Sequence, residues 1–304
     1  MTLTDLRYIV ALARERHFGR AAEKCFVAQP TLSVAVKKLE DELGVILFER
    51  SPQEVRVTEI GQRVVAQAER VLAESALVQE IAAAGKDPLK GPLRLGVIYT
   101  IGPWLLPRLV PLLKERAPAM PLLIEENFTH RLVEKLKAAE LDLIVIALPL
   151  AEPGLVAQPV YDESFRTLVP AGHPWVKHKA IDPRMLLKEP LLMLGSGNCF
   201  RDQVLDLCAT VGQGNPLLME GSSLETIRHM VASGVGVTVM PAAAVDDIPK
   251  NDALLRTRPF AEPQPSRRVG LVWRVSYPRH QAVDVVRQAL LDCRLPGTRP
   301  VRAA

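Results

Sequence analysis

The sequence predicts an α/β protein with a small helical N-terminal domain, one long connecting helix and a larger C-terminal domain. Three observations support this order. Apolar residues recur at helical spacing in short segments up to Gly44, and the segment 58–84 has no proline and a single glycine. From Leu93 onward, short apolar runs alternate with helical patterns, which is typical of a parallel sheet.

The segment FGRAAEKCFVAQPTLSVAVKKLEDELGVILFER, residues 18–50, predicts two short helices joined by a turn. The expected apolar face of the first consists of Phe18, Ala21, Ala22, Cys25 and Phe26. The period then breaks, and Pro30 suits the first turn of the second helix because no backbone N–H is needed there. The expected core stripe of the second helix is Leu32, Val36, Leu39 and Leu43, and Gly44 is placed to end it.

The flanks of this segment complete a small domain. Upstream, Thr2 or Thr4 can cap a helix whose apolar residues include Leu6, Ile9 and Val10. Downstream, residues 45–58 alternate enough to form a two-stranded wing with its tip around Ser51, Pro52 and Gln53.

This segment resembles the winged helix-turn-helix of LysR-type transcriptional regulators, and the string AQPTLSVAVKKLEDELGVILFER carries the resemblance. The resemblance implies that residues 1–58 bind double-stranded DNA. The residues it implies at the DNA are Arg20, Gln29, Pro30, Thr31, Ser33, Lys37 and, on the wing, Arg50. Helical periodicity by itself also fits a three-helix packing domain without a nucleic acid partner.

Composition is compatible with this function without deciding it. A formal net charge of +4 permits DNA binding, and no apolar run has the length of a membrane span. The N-terminus has no signal-peptide core, so we expect a cytoplasmic protein. The four cysteines form neither a secreted disulfide framework nor a CxxC motif. His173 and His178 have no suitably spaced third ligand, so we expect no metal, and no cofactor is indicated.

Residues 59–87 are expected to form a linker helix. Its apolar positions repeat in steps of three and four, at Ile60, Val64, Ala68, Val71, Leu72, Ser75, Val78, Ile81 and Ala82. A long helix with a narrow apolar seam usually packs against a partner, so we interpret it as a dimerisation arm. The loop 85–92 closes it.

Residues 88–304 are expected to form a regulatory domain with two lobes. Lobe I comprises residues 91–161 and 268–304, and lobe II comprises residues 162–267. The pattern resembles the effector domain of LysR-type regulators, which is similar in fold to periplasmic binding proteins. The resemblance implies a cleft between the lobes where strand ends and helix N-termini face a ligand.

The segment GSGNCFRDQVLDLC, residues 195–208, holds the best candidate for a reactive thiolate. Ser196 or Asn198 can cap a helix that begins near Cys199, and Arg201 lies two residues away. A helix N-terminus and a neighbouring cation both favour the thiolate form. If the segment is helical, the Cα atoms of Cys199 and Cys208 are about 13 Å apart, whereas a disulfide tolerates at most about 7 Å. Alternatively, both cysteines are small apolar core residues.

Three segments favour the redox interpretation: CFRDQVLDLC, GVIYTIGPWLLP and SSLETIRHMVASGVGVTVMPA. They resemble the peroxide-sensing members of the LysR family. The resemblance implies that Cys199 becomes a sulfenic acid and then forms a disulfide with Cys208. It also implies a peroxide site that includes Thr100, Thr129, His130 and Asn198. The sequence departs from the familiar pattern at Asn198, because the usual residue before the reactive cysteine is histidine, and asparagine carries no proton at neutral pH.

The expected function is a non-enzymatic transcription activator. Its implied partners are promoter DNA, hydrogen peroxide, further copies of the chain in a dimer and tetramer, and RNA polymerase. A LysR-type regulator that binds a small organic acid, with incidental cysteines, is the alternative. A thiol peroxidase is disfavoured because turnover has no use for a DNA-binding domain. Cys25 and Cys293 are interpreted as packing residues, and Arg267 and Arg268 as residues of a lobe interface or the solvent surface.

Overall fold

A computed structural model describes residues 1–50, 55–84, 87–211 and 218–301. The chain forms two compact units: an N-terminal unit of residues 1–83, with which residues 137–139 are grouped, and a C-terminal unit of residues 84–136 and 140–304. The expected wing tip at Ser51, Pro52 and Gln53 and the first residues of the loop 85–92 lie outside the described residues, as does the side chain of Arg50.

The N-terminal unit has the predicted winged helix-turn-helix order. Its elements are α1 (Leu3–Glu15), α2 (Phe18–Lys24), α3 (Gln29–Leu43), β1 (Phe48–Arg50), β2 (Val55–Val57) and α4 (Glu59–Ala84). Strands β1 and β2 pair antiparallel with Phe48 opposite Val57. Pro30 lies in the first turn of α3, and Gly44 ends the helix in a left-handed conformation, as the sequence predicted.

Two residues expected in the core of this unit are exposed. Helix α2 ends at Lys24, and Phe26 has a φ of 55° and is 95% exposed. The chain reverses direction before the helical period reaches Phe26, so the prediction that it shares the apolar face was wrong. Leu43 is 39% exposed, because it lies in the last turn of α3 beside Gly44, whereas Leu32, Val36 and Leu39 are buried as predicted.

The long helix α4 contributes to the core of the N-terminal unit. Val65 and Ala68 are buried there, and Val64 and Leu72 pack against the same cluster. Val64, Ala68 and Leu72 of the expected seam are therefore used within the unit. Ile60 is exposed, and the exposed Val71, Val78 and Ile81 leave an apolar stripe for another partner.

The start of α1 is fixed by a capping box. The Thr2 hydroxyl accepts a hydrogen bond from the Asp5 amide at 3.2 Å, and the Asp5 carboxylate accepts one from the Thr2 amide at 2.7 Å. We expect Thr2→Ala to lower the free energy of unfolding of this unit by about 1 kcal/mol. Urea unfolding followed by circular dichroism measures the change. Thr4→Ala, an exposed position within the same helix, is the matched control and should change stability by much less.

The C-terminal unit alternates strands and helices. Its first half contains β3 (Leu93–Ile98), α5 (Gly102–Arg116), β4 (Leu122–Asn127), α6 (Thr129–Lys137), β5 (Leu143–Leu148) and the long strand β6 (Leu155–Pro170). After two 3-10 turns, Pro174–Lys177 and Pro183–Lys188, come β7 (Leu191–Leu194), α7 (Cys199–Val211), β8 (Leu218–Gly221), α8 (Leu224–Ala232), β9 (Val237–Pro241) and α9 (Ala242–Val245). The last elements are β10 (Leu255–Pro259), β11 (Ser266–Arg274), α10 (His280–Asp292) and β12 (Thr298–Pro300).

Strand β6 joins two sets of strands into one sheet path, β4-β3-β5-β11-β6-β9-β7-β8. Its first part pairs antiparallel with β11, and its second part pairs with β9 and β10. The parallel pairs β3/β4, β3/β5, β7/β8 and β7/β9 are of the kind that the alternating pattern predicted. The sequence did not predict β10 and β12, which are short partners of β6.

The unit contains two apolar cores, which agrees with the two-lobed fold. The first core includes residues of β3, β5, β11 and α10, so the C-terminal strand and helix pack with the first strands of the unit. The second core includes β7, β9, α8 and much of α7. On β6 the change from one core to the other falls between Tyr161 and Phe165. The boundary between the two cores therefore crosses β6 between these two residues. A site formed by both lobes lies near the strand ends beside this boundary.

Candidate functional site

Cys199 is the first residue of α7, as the sequence predicted. Its side chain is partly buried and packs against the core of the first lobe, although the next turns of α7 belong to the second lobe. The Thr129 hydroxyl, at the start of α6, donates to the Cys199 sulfur at 3.6 Å. The thiol therefore lies where the two lobes meet, at the N-terminal ends of two helices.

A small cavity opens beside this thiol. It is lined by Ile98, Tyr99, Thr100, Asn127, Phe128, Thr129, Gly197, Asn198 and Cys199. Three of the four residues expected around a peroxide thus share one cavity with the thiol: Thr100, Thr129 and Asn198. Measured as the space open to the centre of a water molecule, its volume is about 10 Å³. A single water requires roughly 10–15 Å³ by the same measure, so the cavity accommodates only a very small molecule.

Thr100 is held by a buried ion pair that the sequence interpretation missed. Arg267 Nη1 donates to the Thr100 hydroxyl oxygen and Nη2 donates to the Thr100 carbonyl, both at 2.8 Å. The guanidinium also pairs with Glu163 at 2.7 Å, and these two side chains are 1% and 2% exposed. Because Arg267 occupies an acceptor position of the Thr100 hydroxyl, the hydroxyl proton remains for donation toward the cavity.

Glu163 and Phe200 complete the surroundings of Arg267. The second carboxylate oxygen of Glu163 accepts from the Ala243 amide at 3.1 Å, and the guanidinium lies 5.3 Å from the centre of the Phe200 ring. Phe200 is the residue after Cys199. The ion pair therefore fixes Thr100 on one side and contacts the first turn of α7 on the other. Arg267 is therefore not at the solvent surface; it lies where the two lobes meet, the other position that the sequence analysis allowed.

The residues around the start of α7 differ from expectation in two contacts. The Asn198 side chain does not cap α7: its amide donates to the Gly195 carbonyl at 3.0 Å, while the Asn198 backbone carbonyl accepts from the Arg201 amide. Among the described residues, the Ser196 side chain makes no capping bond either. Arg201 does not serve the thiol: its guanidinium donates to the Leu194 carbonyl and pairs with Glu220, each at 2.7 Å. The loop before Cys199 is thus held by backbone acceptors, and the charge of Arg201 is directed to β8.

His130 lies outside the cavity. It is exposed and stacks on the outer side of Phe128, with ring centres 5.8 Å apart and an interplanar angle of 13°. Phe128 in turn meets the edge of Tyr99 at 5.3 Å. His130 therefore supports an aromatic cluster at the cavity instead of facing the thiol.

Cys208, the expected resolving thiol, lies in the core of the second lobe and is 7% exposed. Burial raises the pKa of this thiol. Both cysteines belong to the same helix, so the spacing of about 13 Å between their Cα atoms applies. The two thiols are reduced and packed against different lobes.

The residues expected to contact DNA lie mostly on one exposed surface of the N-terminal unit. Gln29, Pro30, Thr31 and Lys37 are exposed on α3, and Ser33 is partly exposed. They lie opposite the buried Leu32, Val36 and Leu39. Arg20 is exposed, and its guanidinium donates to the Glu15 carbonyl at 2.7 Å. A helix with this polar, open face at its first turns can enter a major groove.

Other candidate groups have local structural roles. Cys293 donates its thiol proton to the Ala289 carbonyl, and Cys25 caps the end of α2 in a partly buried position. His173 accepts from the Trp175 amide and lies 3.6 Å from Glu189. Within the described parts of the chain, histidine, cysteine and acidic residues form no cluster able to hold a metal ion. None of the helices described there is long and apolar enough to cross a membrane.

Two family models match the chain. Residues 3–62 match the bacterial regulatory helix-turn-helix protein, lysR family, and residues 86–293 match the LysR substrate binding domain. Among curated proteins, the DNA-binding transcriptional dual regulator OxyR of Escherichia coli K12 is 39% identical over 290 residues, which cover 95% of each chain.

Solved structures give the same likeness over the full length. A point variant of full-length OxyR from Pseudomonas aeruginosa is 51% identical, with a TM-score of 0.78 over 100% of this chain and 99% of that one. A hydrogen-peroxide-bound variant of OxyR from Corynebacterium glutamicum is 33% identical, with a TM-score of 0.65 over 96% and 92% of the two chains.

Proposed function

Because the chain belongs to the LysR family, as a member of its OxyR group, we propose that it activates transcription when hydrogen peroxide oxidises Cys199. One observation carries the proposal: the Cys199 thiol shares a cavity of about 10 Å³ with Thr100, Thr129 and Asn198. These polar side chains beside the thiol suit a small oxidant that needs hydrogen-bond donors around its oxygen atoms.

The first chemical step is attack of the Cys199 thiolate on one peroxide oxygen. The sulfur donates an electron pair, the O–O bond breaks, and the other oxygen leaves as hydroxide and takes up a proton to become water. Cysteine is oxidised by two electrons to the sulfenic acid, and peroxide is reduced. The Thr100 hydroxyl, oriented by Arg267, is placed to donate to the departing oxygen, where negative charge develops.

The second step joins the two cysteines. The Cys208 sulfur attacks the sulfenic sulfur, the S–O bond breaks, and the oxygen leaves as water with the proton of the thiol. A disulfide requires Cα atoms within about 7 Å, whereas the helix holds them about 13 Å apart. The segment between Cys199 and Cys208 must therefore unwind, which makes the oxidation a conformational switch.

Unwinding of α7 disturbs both lobes. Phe200, Val204 and Cys208 would leave the core of the second lobe, where each is at most 7% exposed. Phe200 also leaves the guanidinium of Arg267, which holds Thr100 in the first lobe. The packing of the reduced protein opposes this rearrangement. The reaction of the Cys199 sulfenic acid with Cys208 supplies the free energy for it.

The change is transmitted to DNA through an oligomer. The exposed stripe of Val71, Val78 and Ile81 on α4 fits a dimer seam, and dimers of dimers would present pairs of α3 helices to half-sites spaced by about 34–36 Å or a multiple of it. Residues Gln29, Pro30, Thr31, Ser33 and Lys37 would face the groove, and Arg20 and Arg50 the phosphates. Oxidised protein, in the cytoplasm, would then engage promoter DNA and RNA polymerase.

The direct test uses Cys208→Ser protein, in which the sulfenic acid has no partner. The reduced protein receives one molar equivalent of hydrogen peroxide together with dimedone, a trap for sulfenic acids. Peptide mass spectrometry should place the adduct on Cys199. An adduct on Cys25 or Cys293, or none at all, contradicts the proposal and returns the organic-acid regulator to first place. Repeated turnover of peroxide with a thiol reductant would instead favour a thiol peroxidase.

The Thr129 hydroxyl should accelerate the first step. Thr129→Val keeps the shape of the side chain and removes its donor to the Cys199 sulfur. We expect a loss on the order of tenfold in the second-order rate constant with peroxide, smaller than the loss of a full oxyanion-hole donor because the contact is long. Stopped-flow measurement of thiol loss gives this rate. Thr210→Val is the control: this exposed threonine near the end of α7 bonds only to the Leu207 carbonyl, and the rate of this variant should equal that of the unchanged protein.

A further inference from the structure

Tyr99 and Phe128 form an apolar wall of the cavity beside Cys199. We call these two side chains the aromatic wall. The Phe128 ring meets Tyr99 edge-on at 5.3 Å with an interplanar angle of 78°, a favourable arrangement for two aromatic rings. Tyr99 remains 44% exposed, so the aromatic wall lies between the thiol and the solvent.

Ring contacts with Tyr99 and His130 fix the position of Phe128. His130 stacks on the Phe128 ring, nearly parallel to it. Gly197 lines the same cavity, belongs to the loop before Cys199 and has a φ of 89°. Phe128 therefore lies in the first lobe beside the loop that presents the thiol.

The size of the cavity matters for the chemistry of the oxidant. When a thiolate attacks an alkyl hydroperoxide, the terminal oxygen goes to sulfur and the alkyl group departs on the other oxygen as an alkoxide, which takes up a proton. The alkyl group must then fit beside the leaving oxygen. Tyr99 and Phe128 line the same cavity as Thr100, Thr129 and Cys199, so the alkyl group of a hydroperoxide bound there would lie against these two rings.

We propose that the aromatic wall restricts the Cys199 site to hydrogen peroxide and excludes alkyl hydroperoxides, an inference that rests on the proposed function. The polar residues Thr100, Thr129 and Asn198 serve the two oxygen atoms, and the aromatic wall sets the limit on what is attached to them. His130 acts as a positioning residue for Phe128.

The experiment compares two oxidants on the reduced full-length protein. Second-order rate constants for Cys199 oxidation are measured by stopped flow with hydrogen peroxide and with tert-butyl hydroperoxide, and their ratio is the readout. In the unchanged protein, the rate constant with hydrogen peroxide should exceed that with tert-butyl hydroperoxide by a factor on the order of a hundred. In Phe128→Ala the ratio should fall at least about tenfold, through a faster reaction with the alkyl hydroperoxide.

Two further variants keep the test decisive. Phe128→Leu retains much of the side-chain volume, so its ratio should lie between those of Phe128→Ala and the unchanged protein. Leu123→Ala removes an exposed side chain from β4, the strand that precedes Phe128, away from the cavity, and should leave the ratio unchanged.

Different outcomes would overturn the role of the aromatic wall and the proposed function. If Cys199 reacts rapidly with hydrogen peroxide but the ratio is the same in all variants, or if the unchanged protein accepts both oxidants equally, the aromatic wall has no selective role and the proposed function stands. If Cys199 reacts with neither oxidant, both fail.

Discussion

Replacement of Cys199 by serine is expected to abolish the response to peroxide. Serine keeps the size of the side chain and its position at the start of α7, but it cannot form a sulfenic acid or a disulfide. After one molar equivalent of hydrogen peroxide, Cys208 should remain a free thiol and the footprint on promoter DNA should equal that of the reduced protein. Mass spectrometry of the blocked thiols and DNase footprinting measure the two effects.

Cys293→Ser is the matched control for this change. Burial raises the pKa of the Cys293 thiol to about 11, and the thiol already donates to the Ala289 carbonyl, a contact that a serine hydroxyl can also make. Its oxidation by peroxide and its footprint should follow those of the unchanged protein. A Cys199→Ser protein that still changes its footprint with peroxide would show that the switch lies elsewhere.

Arg267→Met is expected to have the largest effect on stability. Methionine preserves most of the side-chain volume but leaves the Glu163 carboxylate buried without its partner, since both side chains are at most 2% exposed. Breaking a buried ion pair in this way costs about 3–5 kcal/mol. Urea unfolding of the C-terminal unit should show a loss of this size. The adjacent Arg268→Met breaks the exposed pair with Asp162, which solvent screens, and should cost far less stability.

A double variant separates the structural role of Arg267 from its role at the site. Arg267→Met combined with Glu163→Gln removes both charges, so most of the lost stability should return. Thr100 still lacks the two hydrogen bonds from the guanidinium, so the peroxide rate should stay low. Recovery of both stability and rate would mean that Arg267 does not orient Thr100, and a single variant that loses less than about 1 kcal/mol would contradict the ion pair itself.

Local sequence patterns predicted the features that depend on neighbouring residues. The start of a helix at Cys199, the proline in the first turn of α3 and the left-handed Gly44 all follow from chemistry within a few residues. The parallel pairs of β3 with β4 and of β7 with β8 followed from the alternation of strands and helices. These elements are determined by the 3.6-residue period and by turn residues, which any single sequence displays.

Local patterns could not predict contacts between residues that are far apart in the sequence. Glu163 and Arg267 are 104 residues apart, and they meet because β6 and β11 pair with Arg267 opposite Glu163. An arginine at the start of a strand looks like a surface residue until its partner strand is known. For Arg201 the prediction failed for the opposite reason. Its closeness to Cys199 in the sequence suggested that it favours the thiolate, but Glu220 on β8 pairs with its charge.

The central claim is tested most directly by mapping the disulfide itself. The reduced full-length protein is exposed to one molar equivalent of hydrogen peroxide, its free thiols are blocked under denaturing conditions, and its peptides are analysed by mass spectrometry. The account predicts rapid formation of a link between Cys199 and Cys208, with Cys25 and Cys293 recovered as blocked thiols. Recovery of Cys199 and Cys208 as free thiols, or a link that involves Cys25 or Cys293, would contradict it.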